Sequence, residues 1–294
     1  MKILIHSLLF YFFILPATAQ VSVLDDAENR VQLKSPAKRV ITLAPHLVEI
    51  IYAIKAESSL VATVSYSNYP EQAKSIPRVG GYNNIDLEAI LSYKPDLVIA
   101  WKSGNNPNQI KKIINLGIPV FLNEPRVIGD VASTALRLGT LMGREQQANR
   151  FSHEFQNKLL ELKQKYQGKT AVTLFYQIWH QPIMTVNGEH LISDAIRICG
   201  ASNIFAGVPV LAPTINIEAV LKHNPDMIVA GGMANKRPEW LNEWKRWSNL
   251  KAVKKNQLYF IDSDLLHRHG PRILQGTEVL CKQVEQVRNH KLKK

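Results

Sequence analysis

Two stretches of this chain repeat the same order of hydrophobic and polar positions. Residues 85–100 read IDLEAILSYKPDLVIA and residues 215–230 read INIEAVLKHNPDMIVA. In both, apolar residues spaced i, i+3, i+4 follow an Asp or Asn cap and precede a proline, which predicts a short helix. The LVIA and MIVA that follow are apolar on both faces, as strands of a buried parallel sheet are. The chain therefore contains one helix–strand unit twice, with Glu88 and Glu218 at matching positions.

The alternation of strands and helices extends on both sides of the repeats. RVITLAPHLVEIIYAI (39–54) predicts a strand, a turn around Ala44, Pro45 and His46, and a helix. Residues 170–200 predict a strand, a longer loop and a helix in the second half, and residues 108–124 and 240–262 are each expected to add a helix and a strand. Strands that alternate with helices indicate α/β lobes with mainly parallel sheets.

A long polar segment with periodic apolar residues joins the two halves. Gly139 and Gly143 are expected to divide it into a shorter and a longer helix. The stretch from Glu145 to Gln167 contains no proline or glycine, so it predicts a helix about 35 Å long. The predicted division of the chain is a signal peptide (1–19), an N-terminal lobe (20–143), a connecting helix (144–167) and a C-terminal lobe (168–294).

A cleft between the lobes is the expected binding site. In open α/β sheets, ligands bind beyond the carboxyl ends of the strands. The segments that follow the predicted strands are APH, AWKSGNN, FYQIWHQPIM and AGGMANK.

The N-terminus predicts export from the cytoplasm. Lys2 precedes the apolar run ILIHSLLFYFFIL, and Ala17-Thr18-Ala19 forms a small-x-small cleavage site before Gln20. This is the pattern of a cleaved secretory signal peptide. No cysteine lies near the cleavage site, so we do not expect a lipid anchor.

Composition and charge narrow the function further. The 294 residues are 46% hydrophobic and 20% charged, as in ordinary globular proteins. The net charge of +12 comes from scattered or terminal basic residues without a nucleic-acid-binding module, so we expect no nucleic-acid partner. Cys199 and Cys281 lack the clustered spacing of a metal site, and in an oxidising compartment they favour one disulfide.

Five further segments are informative as whole motifs: RVITLAPHLVEI, VSYSNYPEQAKSIPRVGGY, IDLEAILSYKPDLVIAWKSGN, ICGASNIF and SDLLHRHGPRI. Together they resemble the class III family of periplasmic substrate-binding proteins, whose two lobes are joined by one long helix. Within this family the chain is most similar to the vitamin B12 (cobalamin)-binding proteins of ABC importers. The resemblance implies a periplasmic protein, without a prosthetic group, that captures cobalamin or a related corrinoid and delivers it to an inner-membrane importer.

The resemblance also implies roles for the paired residues. Glu88 and Glu218 match the glutamates that dock onto the two membrane subunits of the importer, and we expect the protein itself to be a monomer. The alternative is that both glutamates only stabilise helix N-termini through the helix dipole. Cys199 and Cys281 match the cysteines of the family's disulfide.

Several residues are candidates for contact with the ligand. Tyr66, Asp264 and Arg268 match ligand-contact positions of the cobalamin-binding proteins. Tyr82 stands where these proteins have a tryptophan, Met184 replaces a phenylalanine and Ala212 replaces a second tryptophan. Trp101 and Trp179 lie on predicted cleft loops, although any single aromatic residue could instead belong to the core.

His46 and His180 follow the first predicted strand of each lobe. A neutral imidazole is a suitable ligand for cobalt or iron, so His46 is a candidate axial ligand of the corrin cobalt. The alternative is a hydrogen-bonded loop histidine that does not bind metal. His267 and His269 flank Arg268 and could also contact the ligand.

The sequence lacks the local motifs of common enzyme classes. The chain contains no GxSxG, HExxH, GxGxxG or phosphate-loop GKS motif, so we predict that it is not an enzyme. A haem- or ferric-siderophore-binding protein with the same scaffold remains the alternative. Tyr66, Tyr82, His46 and Arg268 would suit haem, whereas a siderophore would need a basic pocket, for which Arg268 and Lys102 are the candidates.

Overall fold

Two four-stranded parallel sheets, one in each half of the chain, form the frame of this protein. The computed structural model describes residues 20–232 and 236–292. The predicted signal peptide, residues 1–19, lies outside the described residues. No helix in the described part of the chain is both long enough and apolar enough to span a membrane.

The first lobe begins with an antiparallel hairpin and continues as alternating strands and helices. Its elements are β1 (Val21–Leu24), β2 (Arg30–Leu33), β3 (Val40–Thr42), α1 (Pro45–Ala53), β4 (Leu60–Ala62), α2 (Leu87–Ser92), β5 (Leu97–Trp101), α3 (Pro107–Asn115), β6 (Val120–Asn123) and α4 (Asp130–Met142). The sheet order is β4-β3-β5-β6, and all its pairs are parallel.

The second lobe repeats this order after the connecting helix. Its elements are α5 (Glu145–Tyr166), β7 (Val172–Gln177), β8 (Trp179–His180), β9 (Ile183–Met184), α6 (Leu191–Ile198), β10 (Ala201–Asn203), α7 (Ile217–His223), β11 (Met227–Gly232), α8 (Lys251–Lys254), β12 (Leu258–Asp262), α9 (Ser263–Leu266) and α10 (Ile273–Leu292). The sheet order is β10-β7-β11-β12, and all its pairs are again parallel. When the strands of each sheet are numbered along the chain, both sheets have the order 2-1-3-4. The predicted pair of duplicated α/β lobes is confirmed.

The structure differs locally from the sequence prediction in two places. The predicted helix within residues 240–262 is a 3₁₀ segment (Glu239–Arg246) followed by the single turn α8. The loop after β7 contains the small hairpin β8–β9, which the polar pattern did not indicate.

The repeated Asp or Asn caps the repeated helix in both lobes. The backbone N–H of Ala89 donates to Asp86 Oδ1 at 3.0 Å, and that of Ala219 donates to Asn216 Oδ1 at 2.9 Å. Each bond satisfies an amide that the first helical turn leaves without a partner. The predicted caps are therefore confirmed.

The repeated Pro-Asp has a structural role in each sheet. Asp96 accepts hydrogen bonds from the backbone N–H groups of Lys38 (2.8 Å) and Arg39 (2.9 Å), just before β3. Asp226 accepts one from the N–H of Thr173 in β7, at 2.9 Å. In each lobe this aspartate ties the start of the third strand to that of the first, which accounts for its repetition.

The central strands are buried on both faces, as their apolar sequences predict. In β5, Leu97 and Ile99 pack into one apolar cluster, and Val98 and Ala100 pack into another on the opposite face. The alternation repeats in β11. The first of these clusters continues through α5 into the second lobe, so one apolar core joins both lobes.

Gly143 separates α4 from α5 as predicted, but the expectation that Gly139 also breaks a helix is wrong. Gly143 is in the left-handed conformation with φ 63°, whereas Gly139 lies inside α4. A Cβ on Gly139 would stand 2.4 Å from Ala148 Cβ in α5. The glycine is there because the two helices pack too closely for a side chain.

The predicted disulfide is confirmed. Cys199 follows α6 and is bonded to Cys281 of α10, with an S–S distance of 2.04 Å. The two residues are 82 positions apart, so the bond closes a long loop of the unfolded chain and contributes about 4 kcal/mol to stability in the chain-entropy description.

Gly139→Ala tests the close packing of α4 on α5. An exposed Gly→Ala change in a helix would stabilise the protein, but here we expect the free energy of unfolding to fall by about 1–3 kcal/mol because the new methyl overlaps Ala148. Chemical denaturation measures the change. Adding Ala148→Gly should recover part of the loss, and a stabilised single variant would contradict the packing argument.

Candidate functional site

The carboxyl ends of the central strands define a cleft between the lobes. In the first sheet, β3 and β5 are neighbours although β4 intervenes in the chain, and β7 and β11 have the same relation in the second sheet. Such neighbours form a topological switch point, where open α/β sheets bind ligands. Trp101 ends β5 and Trp179 lies just beyond β7, so each lobe places one tryptophan at the carboxyl end of a strand that forms its switch point.

The first lobe presents aromatic rings at this edge. Tyr66 is 75% exposed and Tyr82 is 40% exposed. The Tyr82 ring lies 6.1 Å from the half-buried ring of Trp101, measured between centroids. Asn105 Nδ2 donates to the carbonyl oxygens of Tyr82 (2.6 Å) and Leu43 (2.8 Å), and so holds the Tyr82 loop against the end of β3.

The second lobe adds a further aromatic group. Trp179 is 46% exposed, and its backbone pairs with half-buried Met184 in the β8–β9 hairpin. The His180 ring stacks on Trp240 at 5.6 Å with only 8° between the ring planes. Trp240 was missed in the sequence, where its segment was treated only as a helix. Ala212, half-buried, provides no aromatic surface.

A pocket of about 320 Å³ opens beside these rings. It is lined by residues that include Trp179, His180, Lys236, Trp240 and His267. These residues bring the two loops after β7 and β11 together with the segment after β12.

An ion-pair network crosses from one lobe to the other at the lobe junction. Arg268 Nη2 lies 2.9 Å from Asp264 Oδ1 and donates to the carbonyl oxygen of Tyr66 at 3.1 Å. Arg268 Nη1 and Arg272 Nη2 both contact Glu49 Oε1 of α1, at 3.4 and 2.7 Å. The structure thus joins three predicted ligand residues, Tyr66, Asp264 and Arg268, through contacts among themselves.

Glu49 and Arg272 were missed in the sequence analysis. The signal was present, because Glu49 is a lone carboxylate within the apolar run HLVEII. Burial disfavours the charge of Arg272, but the Glu49 carboxylate outweighs this and raises the pKa of the guanidinium. The guanidinium also lies over the Tyr69 ring, 4.0 Å from its centroid.

His46 lies on the first turn of α1 and not on the preceding loop, because the helix begins at Pro45. It is 2% exposed, and its Nε2 is 3.1 Å from Asn123 Oδ1. The Asn123 Nδ2 donates to Asp26 and Thr134, so its Oδ1 is the acceptor and His46 Nε2 carries the proton. A bond from His46 Nε2 to cobalt would require this hydrogen bond to break, and the axial-ligand role remains a prediction that the geometry does not favour.

Four histidines from the two lobes meet at the lobe junction, where His46 and His269 are buried and His190 and His267 are half-buried. The ring centroids of His46 and His269 are 5.7 Å apart, and those of His190 and His269 are 5.2 Å apart. His267 accompanies them and pairs with the hydroxyl of Tyr176 at 3.1 Å. No group of three His, Cys, Asp or Glu side chains within residues 20–232 and 236–292 is arranged to hold a metal ion.

Burial keeps these histidines neutral. Loss of hydration lowers the pKa of His46 to about 4, although the Asn123 hydrogen bond opposes the shift. It also lowers the pKa of His267 to about 4 and that of His190 to about 3. The pKa of His269 lies well below its usual range because burial and the three neighbouring histidines all disfavour a charge there.

The two repeated glutamates lie on the surface. Glu88 is in the first turn of α2 and Glu218 in the first turn of α7, and both are exposed. Neither forms an ion pair with another described residue.

Comparison with known proteins places the chain in a family. The model of the periplasmic binding protein family matches residues 40–265. The vitamin B12-binding protein of Vibrio cholerae serotype O1 is 34% identical over 247 residues, which cover 84% of this chain and 88% of that protein. The vitamin B12-binding protein of Vibrio campbellii is 33% identical over 253 residues, which cover 86% and 91% of the two chains.

Solved structures show the same fold. The crystal structure of the periplasmic vitamin B12 binding protein BtuF of Vibrio cholerae aligns with a TM-score of 0.79 and 32% identity, over 86% of this chain and 98% of that one. The periplasmic heme-binding protein BhuT in complex with two hemes aligns with a TM-score of 0.75 at 18% identity, over 85% and 99%. The second likeness concerns the fold alone.

The histidine group predicts a loss of stability in acid. These groups are neutral in the folded protein, so as the pH falls below about 6.5 only the unfolded chain gains their protons. Each such histidine should lower the free energy of unfolding by about 1.4 kcal/mol per pH unit, until its own folded-state pKa is reached. Denaturant titrations from pH 7 to pH 4.5 measure this slope.

His269→Gln identifies the source of the slope. This substitution removes one buried titrating group. It should therefore reduce the slope by the contribution of one proton, about 1.4 kcal/mol per pH unit. His153→Gln is the matched control, because His153 lies exposed on α5. A slope that His269→Gln leaves unchanged would contradict the assignment.

Proposed function

The chain belongs to the periplasmic binding protein family, and we propose that it captures cobalamin or a related corrinoid between its lobes and delivers it to an inner-membrane ABC importer. The observation that carries this proposal is the aromatic cleft at the switch points of a chain about one-third identical to vitamin B12-binding proteins. These relatives are binding proteins and not enzymes, and cobalamin is their ligand and not a prosthetic group.

The chemistry of the cleft suits a corrinoid. A corrin ring has broad apolar faces and a rim of neutral amides, so it requires flat apolar contacts and hydrogen-bonding groups without net charge. Tyr66 and Tyr82 of the first lobe and Trp179 of the second offer exposed rings. Trp179 and the His180–Trp240 pair offer aromatic surface in the lobe where Met184 and Ala212 provide none.

Haem or a ferric siderophore is the alternative ligand on this scaffold. Both ligands carry negative charge and would need cationic side chains that are not already paired with a carboxylate. Arg268 and Arg272 at the lobe junction are already paired with Glu49 and Asp264. The charge balance of the junction therefore favours a ligand without carboxylates.

The family works in the periplasm, and we propose that residues 1–19 direct this chain there and are cleaved. The pattern of Lys2, the apolar run and Ala17-Thr18-Ala19 supports this step. We further propose that the mature protein acts as a monomer. Its two lobes repeat one sheet order within a single chain, which suits a partner made of two subunits.

Parallel titrations with cyanocobalamin and haemin test the ligand. We expect tight binding of cyanocobalamin and a weak or absent response to haemin, measured by calorimetry and visible absorption. Trp179→Ala should weaken cyanocobalamin binding by about tenfold because it removes an exposed ring of the cleft. Trp247→Ala is the matched control, since Trp247 is similarly exposed and does not line the cleft pocket. Tight haemin binding without cyanocobalamin binding would overturn the proposed ligand.

We propose that Glu88 and Glu218 dock the loaded protein on the two permease subunits. The support is their equivalent placement, one on each lobe, and their exposure without an intramolecular ion pair among the described residues. Their caps, Asp86 and Asn216, already stabilise the helix N-termini. Neither glutamate is therefore needed to cap its helix.

Charge reversal tests the docking role. Glu88→Lys/Glu218→Lys should reduce cobalamin uptake into proteoliposomes containing the cognate permease by at least about tenfold, because each lobe would then repel a cationic partner. Cyanocobalamin affinity should stay within about twofold, since both residues lie outside the cleft. Glu145→Lys/Glu161→Lys on the connecting helix gives the same change in charge as a control. Normal uptake by the first variant would remove the docking role.

A further inference from the structure

A buried carboxylate of the first lobe holds two arginines of the second. The Glu49 side chain is 1% exposed and lies in the apolar helix α1. Arg272 donates to both of its oxygens, at 2.7 Å to Oε1 and 2.9 Å to Oε2. Arg268, whose side chain is 11% exposed, donates to Oε1 at 3.4 Å. Glu49 is thus the group that keeps two neighbouring guanidinium groups at the junction of the lobes.

Arg268 connects this carboxylate to the Tyr66 turn. Its Nη2 donates to the carbonyl oxygen of Tyr66 at 3.1 Å, across the lobe boundary. Tyr66 has φ 66°, a left-handed conformation that is costly for a tyrosine. The same residue projects a ring that is 75% exposed. A strained backbone that presents an exposed aromatic ring needs fixed contacts at its carbonyl.

We propose that Glu49 is a positioning residue for the ligand, acting through Arg268 on the orientation of the Tyr66 ring. The inference rests on the proposed function, because Tyr66 is taken as part of the corrinoid-binding surface. Glu49 does not itself contact the ligand. It neutralises Arg268 and Arg272 together, so that Arg268 can keep its bond to the Tyr66 carbonyl and extend across the lobe boundary.

The charge balance explains why Arg268 depends on Glu49. Without the carboxylate, both guanidinium groups would depend on Asp264, which lies 2.9 Å from Arg268 and 3.9 Å from Arg272 and is about one-third exposed. Two neighbouring, largely buried cations repel, and water would then compete for the guanidinium groups. Arg268 would keep only the partners of its Nη2, Asp264 and the Tyr66 carbonyl, and a turn toward water would break the bond to that carbonyl.

Hydrogen bonds within the first lobe also restrain the turn that contains Tyr66. Ser67 Oγ bonds to Thr63 Oγ1 at 2.9 Å, which bonds to Thr42 Oγ1 at 2.8 Å, and Arg78 donates to the Ser67 carbonyl at 2.8 Å. These contacts hold Ser67, whereas Arg268 is the contact of the second lobe with the Tyr66 carbonyl. If the inner restraints were sufficient, loss of Glu49 would leave the ring in place, and this is what the experiment decides.

A double-mutant cycle on the full mature chain tests the proposal. Cyanocobalamin affinity is measured by calorimetry for the wild type, Glu49→Gln, Tyr66→Ala and the double variant. We expect Glu49→Gln to weaken binding by about tenfold, and the double variant to bind within about twofold of Tyr66→Ala alone. The two effects overlap because both variants remove the same oriented ring. A general weakening of the fold would instead add to the loss from Tyr66→Ala.

Asp194→Asn is the matched control. Asp194 is another carboxylate at the lobe junction. It lies on α6 of the second lobe, and its Oδ2 accepts a hydrogen bond from the backbone N–H of Ile128 in the first lobe at 2.8 Å. It does not touch Arg268 or Tyr66, so its variant should lower the melting temperature and leave affinity within about twofold. If Glu49→Gln does not fold, Glu49→Asp replaces it in the cycle, since it keeps the charge and shortens the reach.

The outcomes separate the two proposals. Wild-type protein that does not bind cyanocobalamin contradicts the proposed function. Wild-type binding with an unchanged affinity in the folded Glu49 variant, or with additive losses in the cycle, contradicts the positioning role and leaves the proposed function intact.

Discussion

The cleft depends on one continuous apolar cluster that joins both lobes to the connecting helix. Residues from β3 and β5, from α5 and from β7 and β11 belong to it, so the two sheets share a core instead of meeting only at a surface. The close contact between Gly139 and Ala148 and the disulfide from α6 to α10 reinforce the same region. Because protein cores are close-packed, this arrangement fixes the spacing of the switch points that face each other.

Polar groups buried at the lobe junction must be satisfied inside that frame. Glu49 meets this requirement by pairing with Arg268 and Arg272, since a buried charge without a partner would be strongly destabilising. The nearby histidines meet it by remaining neutral. The junction therefore has a nearly balanced charge, which suits capture of a ligand with a neutral, amide-rich rim.

The duplicated segment separates into a structural and a functional part. Asp96 and Asp226 tie the third strand of each sheet to the first, which any sheet of this topology could use. Glu88 and Glu218 have no side-chain hydrogen bond or ion pair with another described residue, and the helix caps are provided by Asp86 and Asn216. Their exposure on both lobes is the feature on which the proposed docking role rests.

The sequence by itself determined the two parallel sheets, the connecting helix, the helix caps and the disulfide. The sheets, the helix and the caps follow from periodicity and capping residues, which involve neighbours in the chain. The disulfide follows from the count of cysteines, because two cysteines leave only one pairing. The resemblance of motifs added the ligand class, and the structure placed Tyr66, Tyr82 and Trp101 at one edge.

Only the tertiary structure decided which polar residues act together. The pairing of Glu49 with Arg268 joins residues 219 positions apart, and the His46–Asn123 bond that occupies the histidine Nε2 spans 77. Gly139 suggested a helix break in the sequence, yet its role is contact with a second helix. Periodicity reports which face of an element is buried, but the partner across that face depends on how the elements pack, and hence on the whole chain.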